Sequence, residues 1–136
     1  MGSSPYDGMD RLLAAAESGA LAELSREHDV TLLVAFGSVL NPGSSARDLD
    51  LAVRFQTETL DVSGLLDQLA SLGAGDEVDL MVLNHAGPVA RERALVGARV
   101  LFESRSGEFA TTQMAAMMER MDTDWLRALD LELMAR

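Results

Sequence analysis

Cysteine and lysine are both missing from this 136-residue chain. Without cysteine there is no disulfide, no thiolate nucleophile and no Cys-based zinc site, and nothing points to an oxidising compartment. Without lysine there is no Schiff base, no lysine nucleophile and no P-loop lysine, because all eleven basic residues are arginine. An anionic ligand must therefore be held by arginine, by backbone N–H groups or by metal ions. Positive charge is scarce as well: 22 acidic residues against 11 basic ones leave a net charge of -11. A phosphate backbone repels such a chain, so no direct nucleic-acid partner is expected. Apolar runs such as Leu32 to Phe36 and Leu80 to Leu83 fall far short of a membrane span. The segment Met1 to Asp7 has no basic region leading into an apolar stretch. It does not read as a signal peptide, and a cytoplasmic location without a membrane partner is expected.

What is present reads as one folded unit. Hydrophobic residues make up 48% and charged residues 24%, the balance of a globular domain with a single core. Residues 1–8 read as a flexible N-terminal tail and residues 9–136 as the domain. Leu12, Leu13, Ala16, Leu21 and Leu24 have helical spacing, with a break at Ser18-Gly19. Val30 to Phe36 is apolar and predicts a strand, stopped by Gly37-Ser38, and Asn41 to Ser45 reads as a loop. Leu49 to Phe55 alternates as a second strand, Asp61 to Leu72 as a helix, and Val78 to Leu83 as a third strand. Ala90 to Val96 predicts a short helix, Arg99 to Glu103 an edge strand, and Gly107 onward a long C-terminal helix. Strands separated by helices give an α+β, α/β-like domain with a small mixed sheet.

Among so many acids, spacing has to be combined with local structure. Asp48-Leu49-Asp50 opens the second strand, where residues i and i+2 project from one face about 6.6 Å apart. Leu49, Leu51, Val53 and Phe55 take the other face for the core. Asp122-Thr123-Asp124 has the same spacing inside a predicted helix, where i and i+2 point to different sides; it reads as a solvated or capping pair. Asp79 is a third strand acid, and the helix before it can bring its strand beside the second. Three clustered carboxylates would repel one another, and a divalent cation is the natural neutraliser. All-oxygen ligation favours Mg²⁺ over zinc. Gly37 permits a tight turn and close approach of a phosphate, and the Ser38 hydroxyl with the following N–H groups can bond its oxygens.

Ala35-Phe36-Gly37-Ser38, Arg47-Asp48-Leu49-Asp50-Leu51-Ala52-Val53 and Val78-Asp79-Leu80-Met81-Val82-Leu83-Asn84 resemble the signature of the DNA polymerase beta-like nucleotidyltransferases. The small size resembles the minimal, MNT, branch. Gly97 to Glu103 and the helix with Met121-Asp122-Thr123 are similar to MNT antitoxins that pair with HEPN-domain toxins. The resemblance implies a nucleotidyltransferase fold and transfer of AMP from ATP to a tyrosine hydroxyl of a HEPN toxin, within a hetero-oligomer. It implies that Asp48, Asp50 and Asp79 are catalytic and hold one or two Mg²⁺ ions, and that Gly37 and Ser38 bind phosphates. Family members often carry a basic residue soon after Gly-Ser and a serine before the first Asp. Here Val39-Leu40-Asn41 and Arg47 stand there, and Arg47 becomes a candidate nucleotide-binding residue. Two alternatives stay open: an antitoxin that neutralises its toxin by binding alone, and a transferase acting on a small molecule such as an aminoglycoside.

The remaining candidates have plainer readings. Arg54 shares a strand face with Asp50 and reads as an ion-pair partner or a phosphate contact. His28 and His85 read as surface or cap residues. Met114, Met117, Met118, Met121 and Trp125 fall on one helical face, expected to pack over the sheet, with a partner-binding surface as the alternative. Tyr6 is expected to be an ordinary residue of the tail.

Overall fold

Helix α1 (Pro5–Ser18) starts where its end groups are satisfied. The Ser4 side chain accepts from the Asp7 N–H while the Asp7 carboxylate accepts from the Ser4 N–H at 3.1 Å, with proline in the first turn. Residues 5–8, expected in a flexible tail, are therefore the first turn of a capped helix, and Tyr6 packs against the core. A computed structural model describes residues 4–58 and 60–135, apart from the side chain of Thr123, so residues 1–3 of that expected tail lie outside the described residues.

The chain continues through α2 (Ala20–Glu27), β1 (Val30–Phe36), a 3₁₀ turn (Gly37–Leu40) and β2 (Leu49–Phe55). Then come α3 (Val62–Ser71), β3 (Val78–Val82), α4 (Pro88–Leu95), β4 (Arg99–Glu103) and α5 (Glu108–Met134). The sheet has the order β3-β2-β1-β4. β1 pairs antiparallel with β2 and β4, while β2 and β3 run parallel with α3 as the crossover. The mixed α+β sheet read from the sequence is thus the observed one. Among the described residues, no helix is long and apolar enough to cross a membrane.

Helices cover both sheet faces. On one, Leu33, Leu51, Val53 and Phe55 meet Leu12 of α1, Leu21 of α2 and Leu65 and Leu69 of α3. On the other, Leu32, Val34 and Ala52 meet Ala94 and Leu95 of α4 and Ala116 of α5. Each buried leucine, valine or phenylalanine stabilises the fold by about 1.5–3 kcal/mol, before the opposing chain entropy. Gly8 marks where α1 passes the loop that follows α3, since a Cβ there would stand 2.2 Å from the Ala74 carbonyl oxygen.

Alternation along β2 fixes what each face receives. Leu49, Leu51, Val53 and Phe55 are buried on the α1–α3 side, which leaves Asp50, Ala52 and Arg54 on the side of α4 and α5. Arg54 settles as an ion-pair partner: its Nη1 lies 2.8 Å from Glu108 Oε1, and Arg105 Nε lies 3.1 Å from Oε2 of the same carboxylate. Glu108 is only 5% exposed, so this carboxylate fastens the first turn of α5 to the far end of β2. Asn84 finishes that end, its side-chain amide exchanging two 2.9 Å hydrogen bonds with the Phe55 main chain.

The expected core role of the methionine face is overturned. Met114, Met117, Met118, Met121 and Trp125 are all exposed. The residues of α5 that pack on the sheet are Phe109 and Ala116, on the opposite side of the helix.

Candidate active site

β1 and β2 are antiparallel neighbours in which Phe36 faces Asp50, so the turn that follows Phe36 sits beside the Asp50 carboxylate. β3 then lies parallel to β2 with Asp79 as the register partner of Asp50. Neighbouring strands stand about 4.8 Å apart, so partner residues bring their side chains close. Asp48, two residues before Asp50, completes the group. Oxygen atoms of Asp48, Asp50 and Asp79 all lie within 4.8 Å of one another. The expected cluster is formed at the end of the sheet where β1 terminates and β2 and β3 begin.

Asp50 is the half-buried member, and Asp48 and Asp79 are exposed. Burial, the Asp79 charge and then the Asp48 charge raise the Asp50 carboxyl above its ordinary value of 3.8, against a smaller opposing pull from the Arg93 guanidinium. Three crowded carboxylates suit a hard divalent ion, which needs several oxygen ligands and offsets their repulsion. The donor set therefore fits magnesium.

Gly37 has no room for another residue. Its φ is +80°, and a Cβ there would stand 2.5 Å from Asp50 Oδ2. Any larger residue must strain the backbone and displace a carboxylate of the cluster. Ser38 is exposed on the same turn, and the neighbouring Val39 is buried and anchors it. The Ser38 carbonyl accepts from the Asn41 N–H at 3.0 Å and from the Ser44 hydroxyl at 2.8 Å.

The loop between the turn and Asp48 is held from α1. The Tyr6 hydroxyl donates to the Ser44 carbonyl, lies 3.2 Å from the Asn41 carbonyl, and accepts from the Ala46 N–H at 3.2 Å. Tyr6 is thus a loop anchor, contrary to the expected tail residue. Arg47 is exposed on the loop directly before Asp48. Arg54, held by Glu108, is not available to the cluster. His28 caps α2, 3.8 Å from Asp61, and His85 is exposed, in line with the surface or cap roles expected of them. Asp122 and Asp124 are exposed within α5, where Asp124 pairs with Arg120; neither caps the helix.

Arg93 is the residue that sequence reasoning did not find. It sits on α4 just before Ala94 and Leu95, which pack on the sheet face that carries Asp50. This places a cation near the cluster from a segment 43 positions beyond Asp50 in the chain. Only the packing of α4 on the sheet could have revealed it.

Residues 20–106 match the family described as Polymerase beta, Nucleotidyltransferase. No curated protein matches the chain in sequence. Several solved structures resemble it in fold. A chain of a toxin–antitoxin crystal structure with AMP-PNP has a TM-score of 0.64 at 20% identity, covering 85% of this chain and 96% of that one. A chain from the structure of the tri-AMPylated Shewanella oneidensis HEPN toxin with its MNT antitoxin has a TM-score of 0.61 at 20% identity, covering 91% and 99%. A chain of the MntA–HepT toxin–antitoxin structure has a TM-score of 0.60 at 19% identity, covering 87% and 96%.

Proposed function

We infer the reaction from the family to which this chain belongs, that of the polymerase beta nucleotidyltransferases. The chain transfers a nucleotidyl group, AMP from ATP, to a hydroxyl of a protein partner. We assign it as the antitoxin of a toxin–antitoxin pair, with a tyrosine hydroxyl of a HEPN toxin as acceptor. The similar structures that hold AMP-PNP and an AMPylated HEPN toxin support this reading. The observation that carries it is the register pairing of Asp50 with Asp79, with Asp48 beside them and Gly37 against Asp50.

Asp48, Asp50 and Asp79 would hold one or two Mg²⁺ ions. Bound there, magnesium neutralises the triphosphate and stabilises the attacking and leaving oxygens of an in-line displacement. The chain's own groups do the rest. Main-chain N–H groups of the Gly37–Leu40 turn and the Ser38 hydroxyl receive the outer phosphates. Arg47 and Arg93 supply the cationic contacts that lysine provides elsewhere. The acceptor oxygen attacks the α-phosphorus, the bond to the bridging oxygen breaks, pyrophosphate leaves, and the acceptor proton passes to the Asp79 carboxylate. Catalysis of this kind is chiefly positioning and charge neutralisation, which a rigid strand pair serves well.

The test is transfer of label from α-labelled ATP, with Mg²⁺, to a purified cognate HEPN toxin. Parent protein labels it, and Asp48→Asn with Asp50→Asn labels it at background level. The binding-only reading is favoured by one observation, the run Val39-Leu40-Asn41 with no cation after Ser38. It requires that the double variant still rescue growth against the toxin and that the parent transfer no label.

A further inference from the structure

α5 carries two faces. Phe109 and Ala116 pack on the sheet, the Gln113 amide donates to the Leu95 carbonyl at 3.0 Å, and Glu119 meets Arg91 at 2.6 Å. On the opposite side Met114, Met118, Met121, Trp125 and Leu129 recur at intervals of four, three, four and four residues. Such spacing forms one stripe about 22 Å long. Met118 is 59% exposed and Trp125 65%. From Met121 onward, every described side chain of the helix is exposed, so its last turns leave the domain. A helical stretch whose described side chains are all exposed is marginal in water and gains stability from a partner.

The shape of the stripe specifies the partner's form. An apolar hollow of about 330 Å³ is lined by Ala110, Thr111, Met114, Ala115 and Met118. Thr111, Met114, Ala115 and Met118 stand at i, i+3, i+4 and i+7, the corners of a hole that receives one side chain from a neighbouring helix. The small Ala110 and Ala115 let that helix approach closely.

Charge specifies its border. From Met121 to Met134 the helix holds four acids and one arginine, and Asp122 and Asp124 fall on either side of the stripe. A second copy of this chain would set acid against acid, which disfavours self-pairing. We propose that the Met114–Leu129 stripe of α5 docks an amphipathic helix of a partner protein, its apolar ridge bordered by lysine or arginine. The proposal rests on the antitoxin reading only for which protein presents that helix.

Trp125 is the sole tryptophan, so its fluorescence reports on this surface alone. The experiment titrates the full chain with a synthetic 21-residue helical peptide that has leucine at a and d and arginine at e and g. A second peptide with glutamate at e and g is the control. The expected result is a shift of Trp125 emission to shorter wavelength that saturates at micromolar basic peptide, with binding of the acidic peptide at least about tenfold weaker. Met118→Glu and Ala115→Glu, at exposed positions, lose tenfold or more in affinity while Tm and nucleotide binding stay unchanged. Equal binding of both peptides, no shift with either, or a dimer of the chain alone that Met118→Glu dissolves would each overturn the proposal. The variant Asp48→Asn with Asp50→Asn separates the two readings: it loses label transfer and keeps the peptide affinity.

Discussion

The hydroxyl of Tyr6 donates to the main-chain carbonyl of Ser44, a residue 38 positions away, and the Ser44 hydroxyl in turn donates to the carbonyl of Ser38. An N-terminal helix thereby sets the shape of the loop that joins the candidate phosphate turn to the first aspartate.

Tyr6→Phe keeps the ring and removes that anchor. The lost net hydrogen bonding is about 0.5–1.5 kcal/mol, so Tm falls by a few degrees. The nucleotide KM rises about three- to tenfold while kcat stays within about twofold, because positioning of the loop is lost and the carboxylates are untouched. An unchanged KM in steady-state kinetics, with lower Tm, would reduce Tyr6 to a structural residue.

Gly37→Ala tests the contact with Asp50. A positive φ costs a non-glycine residue about 1–3 kcal/mol, and the added methyl must also displace a carboxylate oxygen. Label transfer drops at least about a hundredfold, as expected when catalytic geometry shifts by about 1 Å. Gly43→Ala is the control, since its Cβ would meet nothing nearer than Asn41 Oδ1 at 3.8 Å. Comparable losses in the two variants would refute the assignment.

Asp50 links pH, metal and stability. Its carboxyl is raised above 3.8 in the fold, so the unfolded chain gives up this proton first. The native state is destabilised as pH climbs from that value through the raised one, and the loss is constant above both. Asp50→Asn removes the charge. In EDTA at neutral pH it should raise Tm by about 2–4 °C, a gain kept small by solvent at this half-buried site and absent at pH 3. Mg²⁺ should raise the Tm of the parent and not of the variant. Calorimetry that finds the variant less stable at neutral pH would sink this account.

Arg93→Ala should raise the nucleotide KM about five- to twentyfold, the size of one charge-assisted contact, with Arg93→Lys intermediate. Isothermal titration with a non-hydrolysable ATP analogue reads the same loss without turnover. Equal affinity of Arg93→Ala and the parent would leave Arg93 with only its electrostatic effect on Asp50.

The parts of the site that lie on strands or at their very start were legible in the sequence. Asp48, Asp50 and Asp79 carry a period-two pattern against apolar neighbours, and strand pairing turns that local pattern into a cluster. Tyr6 and Arg93 were not legible, because each acts through a helix whose packing direction is a tertiary matter. Tyr6 reads as tail in the sequence because the helix start rests on one short cap, Ser4 with Asp7 around Pro5, with little apolar periodicity before Met9. The methionine face showed the right periodicity, yet periodicity identifies an apolar stripe without saying whether the same chain or another molecule covers it. Phe109 and Ala116 supplied the inward face instead.

β3 is the outermost strand of the sheet on its side, and it carries Asp79, while Asp50 lies one strand further in. An ion shared between these two carboxylates is also a rivet through the sheet's rim. Fraying of that rim pulls the ligand set apart, so backbone amides of β3 should exchange with solvent faster when divalent ions are withdrawn. Reaction readiness and edge integrity are then one equilibrium, seen through two observables.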